Sequence, residues 1–141
     1  MFEKKDFGND AVVHSITAAT LTGDANGTSA DLKEYDGALI VVNVGNSGDT
    51  LSGSVKIELE VETSDNNSAW SDAADADLSS SVSGTNTGTF AVIDAGSEDS
   101  TTFTTAYLGR ERYVRVVANL TGTHSNGTPV AANIIRTRAK Y

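Results

Sequence analysis

The 141-residue chain carries 19 Asp and Glu against ten Lys and Arg, a formal charge of -9, and it has no cysteine. Lack of cysteine excludes disulfides, thiolate metal sites and cysteine nucleophiles. The acidic balance argues against a nucleic-acid partner, because duplex binding rests on phosphate neutralisation by Lys and Arg. The longest apolar run, "ALIVV" at Ala38–Val42, is far shorter than the roughly 20 residues of a membrane helix, so no membrane partner is expected.

In chain order, residues 1–10 ("MFEKKDFGND") are charged, lack strand alternation and show no apolar stretch of a secretory signal. They read as an N-terminal arm, with Phe2 and Phe7 as candidate grips on a neighbouring subunit. Residues 11–141 read as a single β-sandwich domain. Period-two alternation predicts strands at Ala11–Leu21, Ala38–Val44, Ser54–Thr63, Thr89–Ile93, Thr101–Tyr107, Arg112–Leu120 and Val130–Arg138.

The clearest is "SVKIELEVET". Val55, Ile57, Leu59 and Val61 point to one face and Lys56, Glu58, Glu60 and Glu62 to the other, as a strand with one buried and one wet face requires. Three glutamates on one face call for water or a basic neighbour. Gly, Asn, Asp and Ser clusters such as "TGDANGTSAD", "GNSGDT" and "GTHSNGTP" punctuate the strands. Short helical turns are expected at Ala30–Tyr35 or within Ala69–Ser79, neither long enough to organise a fold. The sole proline, Pro129, opens the last strand, where a missing N–H is tolerated. Seven to eight strands with regular turn signals mean an all-β sandwich or barrel, and the preferred reading is an antiparallel β-sandwich, jelly-roll-like or immunoglobulin-like.

Charge is uneven along the chain. Residues 1–109 hold 18 acidic and four basic side chains, and residues 110–141 hold one acidic and six basic. On the strand from Arg112, Tyr113 and Arg115 share the outer face, while Val114, Val116, Ala118 and Leu120 form the core face. Arg136 and Arg138 share a face of the last strand. If these two strands pair as a hairpin, the arginines gather into one docking patch. The competing reading is that Arg115 offsets Glu58, Glu60 and Glu62 within the sheet.

Few residues suit catalysis. His14 on its strand and His124 in a polar turn have no nucleophile motif beside them, and neither a G-x-S-x-G elbow nor a P-loop is present. Asp24, Asn26 and Asp31, or Asp72, Asp75 and Asp77, could offer oxygen to calcium, but turn chemistry accounts for them better. An enzyme, a cofactor and a bound metal are not expected. Trp70 reads as a partly buried anchor where its loop returns to the sheet, with an exposed aromatic contact as the alternative.

Two segments carry a family resemblance. "VKIELEVETSDNNSAWSDAADADL", with Ser64, Asp65, Asn66, Asn67, Ser68, Trp70 and Asp72, resembles a strand and aromatic-closed polar turn of small head proteins of tailed bacteriophages. "AYLGRERYVRVVANLTGTHSNGTPVAANII", with Tyr107, Gly109, Arg112, Tyr113, Val114, Arg115 and Val116, is similar to the second half of that family. Leu108 and Glu111 depart from its pattern. The resemblance covers roughly residues 37–138.

It implies a virion structural protein: a capsid decoration or cement protein, made in the host cytoplasm and carried on the capsid surface. Its implied partners are the major capsid protein and further copies of itself, as a trimer. Phe2, Phe7, Arg112, Tyr113, Arg115, Arg136 and Arg138 are the candidate interface residues. A carbohydrate- or host-surface-binding sandwich, and a head–tail or tail structural protein, are the competing functions.

Overall fold

The computed structural model describes residues 12–139, with side chains described as far as residue 137. The arm at residues 1–10, with Phe2 and Phe7, and the Arg138 side chain lie outside the described residues. Ten strands follow in chain order: β1 (Val12–Leu21), β2 (Ala25–Asn26), β3 (Ala30–Asp31), β4 (Tyr35–Val44), β5 (Lys56–Ser64), β6 (Ser71–Asp72), β7 (Thr89–Ile93), β8 (Thr101–Tyr107), β9 (Tyr113–Thr121) and β10 (Thr128–Ala139). All seven predicted strands are among them. The other three have two residues each, too few to show a period. Among the described residues the helical content is one 3-10 turn at Asp75–Asp77, inside the second predicted segment.

The strands form two antiparallel sheets. One has the order β1-β10-β4-β8. In the other, β9 and β5 are central, β2 and β3 share the edge beside β9, and β6 and β7 share the edge beside β5. Counting each shared edge once gives eight positions, in which the first pairs with the last, the second with the seventh, the third with the sixth and the fourth with the fifth. That is a long hairpin rolled on itself, the jelly-roll order, and not the ABED/CFG order of an immunoglobulin domain.

The core lies between the sheets. Ile40, Val42, Ala132 and Ile134 from one sheet and Ile57, Leu59, Val61, Val114 and Val116 from the other are all 0% exposed. Each fully buried Val, Leu or Ile contributes about 1.5–3 kcal/mol through removal of apolar surface from water. Val114, Val116 and Ala118 are buried as the alternation predicts, and Leu120 packs at the margin. At one end Tyr107 is 1% exposed, and its phenol fills the space a Cβ at Gly109 would need. The hydroxyl accepts the N–H of Glu111 at 3.1 Å, which fixes the turn into β9.

Two expectations are corrected. β9 and β10 do not form a hairpin: β9 pairs with β5 and β10 with β1 and β4. The connection crosses between the sheets, with Gly122 and Gly127 at φ +82° and +83° making its bends. Ala30–Tyr35 is not helical. Ala30 pairs with Val114 and Asp31 with Tyr113, and the chain then turns back through a Tyr35 N–H to Leu32 O bond of 2.9 Å. Glu34 takes φ +75° there, a left-handed conformation uncommon outside glycine. Pro129 is the second residue of β10, and its carbonyl accepts from Gly45 N at 2.8 Å.

Candidate functional site

Three regions gather polar or interaction-prone side chains, and the predicted residues are divided among them. The first is a cleft of about 560 Å³ between the turn 32–36 and the turn 108–112. Arg112 grips the Asp31 carboxylate through Nε and Nη2, both at 2.9 Å, and lies over the Tyr113 ring at 4.9 Å. Arg136 reaches from β10 to the Asp31 carbonyl at 3.3 Å and covers the Tyr35 ring at 4.6 Å. Arg112 and Arg136 therefore do converge, although on opposite sheets and around an acid rather than through a hairpin. The Arg112 hydrogen bonds hold the Asp31 carboxyl at about 2, against an ordinary 3.8. Arg112 is paired with a carboxylate, whereas the hydrogen bond of Arg136 is to a carbonyl and its buried Nε has no hydrogen-bond partner.

The second region is the outer face of the six-stranded sheet. Arg115 bonds Glu62 Oε2 through Nε at 2.7 Å and stacks over Trp70 at 4.3 Å. Trp70 is half-buried, as an anchor should be. The Ser64–Trp70 turn is held from within: Ser64 Oγ accepts the N–H of Asn66 and Asn67, and Asn66 Oδ1 accepts those of Ser68 and Ala69. Lys56 pairs with Glu58 at 3.3 Å.

Glu60 departs from the expected wet face. It is 3% exposed, and its Oε2 accepts from Asn119 Nδ2 at 2.6 Å. Burial, then the adjacent Asp72 carboxyl and the charge of Glu62, push Glu60 up to about 8 from an ordinary 4.5. Glu60, Glu62 and Asp72 each place a carboxylate oxygen within 4.8 Å of the others. Sequence inspection grouped Asp72 with Asp75 and Asp77 instead. Asp75 is occupied by the N–H of Gly88 at 2.9 Å, and Asp24 by that of Leu120 at 2.7 Å.

The third region is the outer face of the four-stranded sheet. Its registers align Val12–Ile135–Leu39–Ala106 in one row, His14–Asn133–Val41–Thr104 in the next and Ala131–Asn43–Thr102 in a third. None of these residues is Asp, Glu, Lys or Arg. Val12 and Leu39 are 40% and 38% exposed. No predicted interface residue lies in these rows.

Each histidine makes one hydrogen bond within the fold. His14 is exposed and bonds Asn133 Oδ1 at 2.6 Å. His124 is 3% exposed, with Nε2 against Thr121 O at 3.0 Å and Nδ1 3.8 Å from Asp49. Nδ1 is buried and has no hydrogen-bond partner. Asp49 accepts the N–H of Asn126 and Gly127, bonds that lower its carboxyl below the ordinary value, and ties the crossing loop to the turn after β4. Trp70 and the tyrosines make no common aromatic platform among the described residues, since Tyr107 is in the core and the others are covered by arginines.

Among the described residues the arrangement defines a jelly-roll sandwich with one charge-rich outer face and one whose register rows hold no Asp, Glu, Lys or Arg. No family model matches the chain, and no curated protein matches it. No helix of the described residues is long and apolar enough to cross a membrane.

Proposed function

We propose that this chain is a non-enzymatic virion structural protein, a decoration protein that binds the outer surface of an icosahedral phage head and stabilises the major capsid lattice. The observation that carries the reading is the contrast between the two sheet faces. A chain of charge -9 repels its own copies and any acidic partner wherever carboxylates must approach or lose water. The uncharged face of β1, β10, β4 and β8 is where close contact avoids that cost. Four strands about 4.8 Å apart and roughly eight residues long give a footprint on the order of 500 Å², at the small end of specific protein contacts.

The resemblance to phage head proteins supports the same reading. Its two segments, the Ser64–Trp70 turn and the Tyr113–Val116 strand, meet in space through Arg115, Trp70 and Glu62. The contact surface we propose is the neutral face rather than Arg112 and Arg115, whose charges Asp31 and Glu62 already engage. Copies bound as trimers would bridge capsid subunits and stabilise the shell by mass action, by about 2.7 kcal/mol per site at a concentration one hundred times Kd.

The test is addition of purified protein to heads that lack it, reading bound copies and the temperature of rupture. Saturable binding and a raised rupture temperature are expected. Asn43→Glu together with Thr104→Glu, both exposed positions, should weaken binding by more than about tenfold through burial of unpaired charge. The melting temperature of the free protein should stay nearly unchanged. Failure of the unaltered protein to bind heads, or full binding by the double variant, overturns the proposal.

A further inference from the structure

We infer that Glu60, Glu62, Asp72 and Thr89, on the outer face of the six-stranded sheet, form a binding site for a divalent cation of the calcium class. The three carboxylates come from two strands, and Glu62 and Asp72 are direct register partners. Their oxygens lie within 4.8 Å of one another, the span of two ligands on opposite sides of an ion about 2.4 Å from each.

One oxygen of each glutamate is already held. Glu60 Oε2 takes the Asn119 amide and Glu62 Oε2 takes Arg115. Those bonds orient the carboxylates, and Glu60 also shares a hydrogen bond with the Asp72 carboxyl, a contact an ion between them would replace.

The second observation is independent of the acids. A bulge in the β5–β7 ladder pairs Leu59 with Ala91 and then Glu60 with Thr89, skipping Phe90. Register partners leave a sheet on the same face, so Thr89 stands beside Glu60 on the side of the carboxylates. Thr89 is 0% exposed, and its hydroxyl has no hydrogen-bond partner. A wholly buried hydroxyl without a partner is costly, and a cation beside Glu60 would satisfy it as a neutral oxygen ligand.

Charge and donor type select the ion. Three carboxylates, all ionised in the ion-bound state, against Arg115 leave two negative charges, which a divalent ion matches. All donors are hard oxygens, with no His or Cys, which suits calcium rather than zinc. Ligands fixed by three strands and a bulge meet calcium's tolerance of irregular geometry better than magnesium's demand for an octahedron. Asp72 is exposed, leaving an open side for water ligands. A bound ion would fasten both edge segments, β6 and β7, to β5 beneath the Trp70 turn.

The test uses the whole chain, stripped with chelator and titrated with Ca²⁺ by calorimetry, with terbium luminescence excited through Trp70, the sole tryptophan. Saturable one-site binding is expected. The melting temperature should rise by roughly 5–10 °C at a hundredfold excess over Kd. Asp72→Asn, at an exposed edge, and Glu60→Gln, which keeps the side-chain shape, should each weaken Ca²⁺ binding at least tenfold and abolish the thermal shift. No heat and no thermal shift at about 10 mM Ca²⁺, beyond the weakest class of calcium sites, overturns the inference. Equal binding by both variants overturns it too, by placing the ion elsewhere.

Discussion

At the scale of single residues, two carboxyls are displaced in opposite directions by their surroundings. Glu60 is raised because burial and the neighbouring acids disfavour its charge, and Asp31 is lowered because Arg112 favours it. The consequences for stability have opposite signs. Between its unfolded value near 4.5 and its folded value of about 8, Glu60 binds more proton in the folded chain, so its contribution to stability falls as pH rises across that window. Asp31 contributes above its unfolded value of 3.8 and loses that contribution as pH falls towards 2. In chelator, denaturant midpoints should decline from pH 5 to pH 8. Glu60→Gln should flatten the decline and be more stable than the parent at pH 8, by on the order of 2 kcal/mol. A parent midpoint that rises across this window would contradict the assignment. The glutamate alternation was readable from "KIELEVE", but not the burial of the middle glutamate, because Asn119 and Asp72 reach it from two other strands and Thr89 of a third is its register partner.

At the scale of elements, β5 and β9 form the spine of the charged face. Their alternation was evident because each buries one side against a continuous core and leaves the other to polar partners. The two-residue strands were not evident. β2, β3 and β6 exist because β9 and β5 offer ladder positions, and their own residues carry no period. Arg115 joins the elements, pairing with Glu62 on β5 and stacking on Trp70 beyond the β5 turn. Both members of the ion pair are less than one-fifth exposed, so deleting one leaves a poorly solvated charge. Arg115→Ala should cost about 2–4 kcal/mol by denaturant unfolding. A double-mutant cycle of Arg115→Met with Trp70→Leu should return a coupling of about 0.5–2 kcal/mol for the stack. Additivity of the two substitutions would show the stack to be energetically idle.

At the scale of the whole molecule, the first strand pairs with the last strand, and every central pairing joins distant parts of the chain. Loop closure must precede most favourable contacts, so folding is expected in milliseconds to seconds. Stopped-flow refolding followed by Trp70 fluorescence measures it, and a submillisecond phase completing the change would contradict this topology.

The sequence by itself determined the strand class, seven of the strands, the core faces of β5 and β9 and the structural character of Trp70, because period-two alternation and turn residues are local properties of the chain. Which strands are neighbours was decided only in three dimensions. That choice separated β9 from β10 and brought Arg112 and Arg136 to opposite sides of Asp31. It assembled Glu60, Glu62, Asp72 and Thr89 from segments up to 29 residues apart, and it collected uncharged residues from four strands into one face. Side-chain direction follows from position along a strand, but the partner a side chain meets follows from the rolling of the whole hairpin.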